Sequence, residues 1–238
     1  MTRHLELEEA VNVRDIGGVR VRSGPLAPGV LVRSASLSQL TDEGWAALYD
    51  HGVRTVVDLR AQSEVERAPV RPQYGIEYRH VPIVDVVPGA GDEVDHALPD
   101  WHAAYPLIVD RFRSGFAAAI AAIADAAPGG VAVHCRVGRD RTGIVVALLL
   151  SLAGASREEI LEDYALSAEL LAATFEEWIA GAPDERTRGR LEWESAAPSD
   201  LILSALDHLD ERYGGVEPYL AGAGVDVDRV RKRLGGDM

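Results

Sequence analysis

The only cysteine of the chain lies in a short charged segment. The segment reads VAVHCRVGRDRTGIVVALLL over residues 131–150, and His134 stands directly before Cys135. A lone cysteine is most often a small buried apolar side chain. Here, however, three arginines follow the thiol within six residues, and neighbouring positive charge stabilises the thiolate form. The segment therefore indicates a reactive cysteine.

The pattern around Cys135 predicts a strand that ends at the cysteine, a loop, and a helix that begins at Arg141 or Thr142. A glycine-containing loop that enters a helix N-terminus turns several backbone N–H groups toward one point, where a phosphate can bind. The same field lowers the pKa of a thiol from its ordinary value of about 8.5. Arg141 can present its planar fork to two phosphoryl oxygens. We therefore expect a cysteine nucleophile that attacks a phosphomonoester.

The spacing Cys135-x5-Arg141-Thr142, with Gly138 inside it, resembles the signature of cysteine-based protein tyrosine phosphatases. The likeness is to the bacterial branch with an HCxxGxDRTG loop, and it extends over nearly the whole chain. The other similar segments are NVRDIGG (12–18), VRSASLSQLTDEG (32–44), GVRTVVDLR (52–60) and LDERYGGVEPYL (209–220). The resemblance implies activity on phosphotyrosine, on phosphoserine or phosphothreonine, and in some members on phosphoinositides. Many members have lysine where this chain has Arg139, which keeps the charge but changes the contact.

The resemblance also implies roles for the residues around the cysteine. His134 orients the loop and helps to polarise the thiolate, and the Thr142 hydroxyl stabilises the sulfur as it leaves the phosphorus. The phosphate-binding residues that it implies are Arg136, Val137, Gly138, Arg139, Asp140 and Arg141.

Two aspartates compete for the role of general acid. Asp140 directly precedes Arg141, where its side chain can face the leaving-group oxygen. Asp85 follows a predicted strand, and this position resembles the separate acid loop of many tyrosine phosphatases. The structural alternatives are a loop-stabilising acceptor for Asp140 and a turn residue for Asp85. We favour Asp140 as the proton donor, with Asp85 assisting or positioning.

Three other functions use similar residues. The first is a phosphatase for a small metabolite, such as a nucleotide, sugar phosphate or inositol phosphate. The second is a silent phosphopeptide-binding module, which would need neither the thiol nor the acid. The third is a sulfur-transferring, rhodanese-like enzyme, which has no use for Arg141 and Thr142 at this spacing. The sequence favours a protein-tyrosine phosphatase. Its specificity can extend to phosphoserine and phosphothreonine, or to phosphoinositides.

Segments rich in branched residues alternate with helical patterns, and this alternation predicts an α/β fold with a mostly parallel central sheet flanked by helices. The predicted strands are 30–35, 53–60, 76–83 and 130–135. The predicted helices before the cysteine are 41–52, with Thr41 as N-cap, and about 100–127, with an irregularity near Pro106. We expect one domain over 1–238, helical from about 155. Helices within 164–193 are expected as a lid over the site or as a packed appendage.

Structural roles are expected for the polar landmarks outside the cysteine segment. Asn12, Arg14 and Asp15 can form a network that pins the N-terminal segment, and Asp58 can pair with Arg60. Arg60 also lies near the carboxyl end of a predicted strand, which is where ligands bind in open α/β sheets.

Composition limits the remaining choices. The chain has 238 residues, 47% of them hydrophobic, and a formal charge of −14, which disfavours nucleic acid and stable membrane association. One cysteine allows no internal disulfide, and the first residues lack a signal-peptide pattern, so a cytoplasmic location is expected. The seven histidines show no paired ligand spacing, and we therefore expect neither a metal nor another cofactor.

Overall fold

A twisted sheet lies at the centre of the computed structural model, which describes residues 4–5, 7–83 and 100–235. The strands are β1 (Arg14–Asp15), β2 (Arg20–Val21), β3 (Gly24–Pro25), β4 (Leu31–Ser34), β5 (Val53–Asp58), β6 (Glu77–His80) and β7 (Gly130–His134). Five of them form the main sheet in the order β1-β4-β7-β5-β6, and β2 and β3 form a hairpin. Only β1 pairs antiparallel in the main sheet. The α/β class with a mostly parallel sheet is confirmed.

Helices cover both faces of this sheet. In the described ranges they are α1 (Asp42–Asp50), α2 (Gln62–Arg67), α3 (Trp101–Arg111), α4 (Arg113–Ala124), α5 (Asp140–Ala153), α6 (Arg157–Ala180), α7 (Glu185–Ser195), α8 (Leu201–Tyr213), α9 (Val216–Ala221) and α10 (Val227–Arg233). Thr41 caps α1 as expected, because its hydroxyl accepts a hydrogen bond from the Gly44 N–H. The chain is helical from α5 to the end of the described part, as the sequence indicates.

The central strand β7 is covered on both faces of the sheet. Val131 and Val133 point into the larger apolar cluster, which α4 and α5 also fill. Ala132 points the other way, into a second cluster with Trp45 and Leu48 of α1. Side chains alternate along a strand, so a strand covered on both faces is apolar along most of its length. This requirement explains the continuous run of small and branched residues before Cys135.

The segment predicted as one helix over 100–127 is two helices, and the position predicted for its irregularity is wrong. Pro106 lies inside α3, and the break is at Phe112, whose backbone leaves helical geometry. Proline lacks an N–H, so it removes the bond to the carbonyl four residues earlier, that of His102. His102 is exposed, and water can satisfy that carbonyl. The helix therefore continues through the proline.

The parallel strands end at the same edge of the sheet. In the strand register, Ser34, His134, Asp58 and His80 lie side by side. The connection from β7 into α5, which we call the cysteine loop (residues 135–141), leaves the sheet at the middle of this edge. In open α/β sheets this is the edge that binds ligands.

We expect Gly138→Ala to destabilise the protein. Gly138 has a φ of +71°, and a Cβ built on it would lie 2.4 Å from the Ser34 carbonyl oxygen. A side chain therefore adds left-handed strain and a clash with backbone, which we expect to cost about 2–4 kcal/mol. Denaturant unfolding measures the change.

Gly189→Ala is the matched control. Gly189 lies in α7 with open space around its would-be Cβ. Alanine in a helix is better than glycine by about 0.5–1 kcal/mol, so this variant should be slightly more stable. Equal stability of the two variants would contradict a special conformation at Gly138.

Candidate active site

Three successive carbonyl groups of the cysteine loop face outward, each held by a donor from another segment. The bonds are Ser36 N–H to Arg136 O (3.0 Å), Asn12 Nδ2 to Val137 O (2.8 Å) and Arg33 Nη2 to Gly138 O (2.7 Å). A peptide N–H points away from its own carbonyl, and the N–H groups of residues 136–139 donate to no acceptor in the described part of the chain. Such an array of N–H groups at a helix N-terminus forms an anion-binding cradle.

Cys135 lies at the base of this cradle and is buried. Burial lowers the pKa of Arg141, but the electrostatic interaction with Cys135 and the carboxylate of Glu64 outweigh burial and raise it. The guanidinium therefore stays charged, close enough to the sulfur to interact with it. The structure thus brings together the thiol, the N–H groups and the arginine that the sequence singled out.

Glu64, in α2, holds Arg141 in place, and sequence reasoning missed it. Its carboxylate accepts Arg141 Nη1 at 2.6 Å and Nη2 at 3.1 Å, and it also accepts the Ala61 N–H at 2.9 Å. Burial would raise the pKa of Glu64, but the hydrogen bonds and charge of Arg141 lower it overall. The available signal was a glutamate three residues after Ala61, a spacing at which an acidic side chain caps a helix N-terminus.

Asp140 opens helix α5, one residue earlier than the sequence predicts. Its Oδ1 accepts the hydroxyl of Tyr105 at 2.7 Å and Nε of Arg139 at 3.4 Å. Among the described residues nothing donates to Oδ2, and no backbone N–H donates to either oxygen. Burial would raise the pKa of Asp140, but the charge of Arg139 and the bond from Tyr105 lower it. One oxygen is held and the other is available.

His134 is buried in the sheet and uncharged at neutral pH. Burial lowers the pKa of His134 to about 4, although the carboxylate of Asp58 opposes the change. Nε2 lies 3.6 Å from Asp58 Oδ2, and Nδ1 lies 3.4 Å from the Cys135 carbonyl oxygen. A neutral imidazole cannot place a positive charge beside the thiolate, so any help it gives comes from orientation.

Thr142 lies in the first turn of α5 with its hydroxyl buried. The Oγ1 atom has no hydrogen-bond partner in the described part of the chain. Buried hydroxyl groups are normally paired, and an unpaired one is often explained by a function. A hydroxyl one residue after Arg141 can donate to an anion in the cradle when one is present.

The other two loop arginines are held by helix α7. Arg136 donates to a Glu194 carboxylate oxygen, and Arg139 Nη2 donates to the Glu194 carbonyl at 2.8 Å. Arg139 is buried under Phe175 of α6, with its charge 5.8 Å from the ring centre. Arg139 therefore supports the loop, and Arg136 stays partly exposed at its mouth.

Helices α6 and α7, within the segment expected as a lid or an appendage, pack directly on the cysteine loop. An apolar cluster joins Val137 to three side chains of the helices, which are Leu171, Phe175 and Leu191. The segment is thus a cover on one side of the cradle, in contact with the residues that would bind phosphate.

A groove of about 620 Å³ opens beside the cradle. Its basic lining is Arg60, Arg67 and Arg136, and its apolar lining includes Val11, Trp178 and Leu191. Glu64, which holds Arg141, also lines the groove. A substrate with its phosphate in the cradle can extend along this groove.

The polar landmarks outside the loop have structural roles, but in the described residues Asp15 lies in a separate network from Asn12 and Arg14 and not in the single network that the sequence predicts. Asn12 and Arg14 bond each other, and Asp15 accepts the N–H groups of Gly17 and Gly29 at 2.7 Å each. Asp58 pairs with Arg60 at 2.7 Å, and both are buried. Asp85 lies outside the described residues, so its proposed part in acid catalysis remains a prediction.

The described residues contain no cluster of histidine, cysteine or carboxylate side chains that could hold a metal ion. In the same ranges, none of the helices is long and apolar enough to cross a membrane.

Comparisons with known proteins support the resemblance. The model of the tyrosine phosphatase family matches residues 5–235. The triple specificity protein phosphatase PtpB of Mycobacterium tuberculosis is 29% identical over 274 residues, covering 97% of each chain. A tyrosine-protein phosphatase of Nostoc commune is 30% identical over 232 residues, covering 90% of this chain and 77% of the relative. The solved structure of TpbA from P. aeruginosa covers 87% of this chain and 86% of TpbA, at 18% identity and a TM-score of 0.31.

The Glu64 contact predicts a loss of turnover in Glu64→Gln. Glutamine cannot form the charged bidentate pair, so Arg141 loses the orientation that it needs. We expect kcat on an aryl phosphate to fall about tenfold, which corresponds to about 1.4 kcal/mol in the barrier.

Glu66→Gln is the control, because Glu66 lies in the same helix and, among the described residues, its carboxylate accepts a hydrogen bond only from the exposed Gln62. It should leave kcat unchanged. Equal kcat values for Glu64→Gln and the wild type would show that Arg141 needs no such partner.

Proposed function

Because the chain belongs to the tyrosine phosphatase family, we propose that it hydrolyses phosphomonoesters through a phosphocysteine on Cys135. Membership confirms the family resemblance and the enzyme class, a phosphoric monoester hydrolase, that the sequence indicates. The observation that carries the proposed mechanism is the cysteine loop itself. Its outward carbonyl groups leave the N–H groups of residues 136–139 without acceptors in the described chain, around a buried thiol and a charged Arg141.

The first step forms a bond between the Cys135 sulfur and phosphorus while the bond from phosphorus to the leaving oxygen breaks. Arg141 and the loop N–H groups hold the equatorial oxygens as charge shifts. Asp140 gives its proton to the leaving oxygen from Oδ2, the oxygen that is free of contacts in the described chain. The product is a phosphocysteine and a neutral alcohol or phenol.

The second step hydrolyses the phosphocysteine. Asp140, now a carboxylate, takes a proton from water as the water oxygen bonds to phosphorus, and the sulfur leaves as thiolate. The buried hydroxyl of Thr142, which has no partner in the described chain, can donate to that sulfur. Inorganic phosphate then leaves the cradle, and the enzyme returns to its starting state. All groups used in both steps come from the cysteine loop and the start of α5.

We propose phosphorylated side chains of proteins as the main substrates, tyrosine first, with phosphoserine, phosphothreonine and phosphoinositides as further substrates. The groove beside the cradle is open and mixed in character, with apolar, basic and acidic side chains in its lining, which suits an extended substrate such as a peptide. Comparing kcat/KM for phosphopeptides, phosphoinositides, nucleotides and sugar phosphates tests this choice. A higher value for a small metabolite would favour the metabolite phosphatase instead.

We propose a cytoplasmic location, because a catalytic thiol must stay reduced and the chain has no second cysteine for a disulfide. Fractionation of the native cell with detection of the protein checks this, and recovery outside the cytoplasm would refute it.

Cys135→Ser should fold and bind phosphotyrosine peptide but turn over nothing. An alcohol does not ionise in this field as a thiol does, so turnover should fall at least about a thousandfold. Calorimetry measures peptide binding, and release of phosphate measures turnover. Turnover near the wild-type rate would exclude Cys135 as the nucleophile.

The choice of acid predicts different losses on different leaving groups. An alkyl phosphate such as phosphoserine needs a proton on its leaving oxygen more than an aryl phosphate does. Asp140→Asn should therefore reduce kcat/KM on the alkyl ester by about tenfold more than on the aryl ester.

The lowered pKa of Asp140 also predicts how wild-type activity depends on pH. The acid works only when protonated, so wild-type activity on the alkyl ester should fall as pH rises through the acidic range.

Asp85→Asn is the comparison variant. If it alone shows the larger loss on the alkyl ester, while Asp140→Asn depresses both substrates equally, Asp85 is the acid and Asp140 is structural.

A further inference from the structure

A chain of three side chains from three helices ends at the proposed general acid. Tyr105 of α3 donates its hydroxyl to Asp140 Oδ1 at 2.7 Å, and the Tyr164 hydroxyl of α6 lies 2.5 Å from that of Tyr105. The rings meet edge to face, with centres 6.2 Å apart. Both tyrosines are almost fully buried. A buried hydroxyl must use its hydrogen-bonding capacity, so these contacts are part of the packed structure.

The direction of each hydrogen bond follows from the number of protons. Tyr105 has one hydroxyl proton and gives it to the carboxylate, so Tyr164 must donate to the oxygen of Tyr105. Burial and the negative charge of Asp140 raise the pKa of both tyrosines, which therefore remain neutral donors. A donor that itself accepts a hydrogen bond is polarised and donates more strongly.

The surrounding structure holds Tyr164 through contacts on two sides. A Cβ built on Gly143 of α5 would lie 2.9 Å from the Tyr164 ring, so the ring packs directly against the backbone of α5. The preceding residue, Asp163, pairs with Arg14 and Arg33 in the interior. The position of Tyr164, and through it the position of the Tyr105 hydroxyl, is thus fixed from two sides.

We propose that Tyr105 is a positioning residue for the general acid, with Tyr164 as its support. The inference rests on the proposed function, in which Asp140 is the acid. Tyr105 holds Oδ1, which leaves Oδ2 as the oxygen that carries the proton to the leaving group. Without this contact the carboxyl group can rotate, and the weak bond from Arg139 at 3.4 Å is the one that remains on Oδ1.

The charged and titratable groups that face Asp140 come from two sources. From the cysteine loop these are Arg136, Arg139 and Arg141, and from α3 and α6 they are Tyr105 and Tyr164. The arginines stay charged at every working pH. A hydrogen bond from Tyr105 to the carboxylate favours the ionised form, so its removal should raise the pKa of Asp140.

The experiment is the pH dependence of kcat/KM for Tyr105→Phe on an alkyl and an aryl phosphate. Activity on the alkyl ester declines as pH increases. The pH at which half of the maximal activity remains should be about one unit higher in the variant than in the wild type. Below that pH, the variant should be about threefold to tenfold less active than the wild type on the alkyl ester, because its acid is less well oriented. Activity on the aryl ester should change less. Tyr164→Phe should give a smaller shift in the same direction.

Tyr219→Phe is the matched control, because the Tyr219 hydroxyl bonds the carbonyl of Val109, in the same helix as Tyr105. If it shifts the pH profile as Tyr105→Phe does, general loosening of α3 explains the effect and the proposal is overturned. The double variant Tyr105→Phe with Asp140→Asn should be no worse than Asp140→Asn alone. If the double variant lost further activity, by the same factor as Tyr105→Phe alone loses relative to the wild type, the proposal would also be overturned.

Two failures remain distinct. If Asp140→Asn shows no larger loss on the alkyl ester, Asp140 is not the acid, and the proposed function fails at this point together with the role of Tyr105. If Asp140→Asn shows that loss but the Tyr105→Phe profile does not move, Asp140 is the acid and Tyr105 does not position it.

Discussion

The shape of the cysteine loop depends on one buried carboxylate, Asp163. It pairs with Arg14 at 3.0 Å and with Arg33 at 2.5 Å, and Arg33 in turn holds the Gly138 carbonyl. Removal of one partner from a buried ion pair typically costs about 3–5 kcal/mol, because the remaining charge stays buried. The guanidinium of Arg33 lies beneath the loop, where its positive charge acts on the cradle in the same direction as the loop N–H groups and favours an anion there.

The three arginines around the thiol have different partners, and this division explains why the segment needs all of them. Arg141 is oriented by Glu64 and interacts electrostatically with Cys135, and it is the arginine that we propose for contact with a phosphoryl group. Arg139 is buried under α6 and α7, where its fixed charge lowers the pKa of Asp140. Arg136 pairs with Glu194 at the mouth, beside the groove. Only the first of these tasks can be read from spacing alone.

Sequence reasoning identified what lies within one continuous stretch and missed what folding brings to it. The strand, loop and helix around Cys135, the fold class and the paired Asp58 and Arg60 follow from local pattern and short spacing. Glu64 and Tyr105 belong to helices distant in the chain, and neither stands in a motif that points to the cysteine. Their roles depend on how α2 and α3 pack, and a single sequence does not contain that information in readable form. The break of the 100–127 helix was misplaced for a related reason, since an exposed carbonyl made the proline tolerable.

Helix α6 contacts both the residues proposed for catalysis and the groove beside the cradle. Its first half carries Asp163 and Ser167, which hold Arg14 and Arg33 beneath the cysteine loop, and Tyr164, which contacts the tyrosine next to the proposed acid. Its second half carries Phe175, which packs beside the loop, and Trp178, which lines the groove. The first half is fixed by buried ion pairs, whereas the second half packs on the cysteine loop through apolar contacts. One helix therefore carries both the buried charge that supports the cradle and a side chain that forms part of the groove wall, so a change in the position of α6 would affect both.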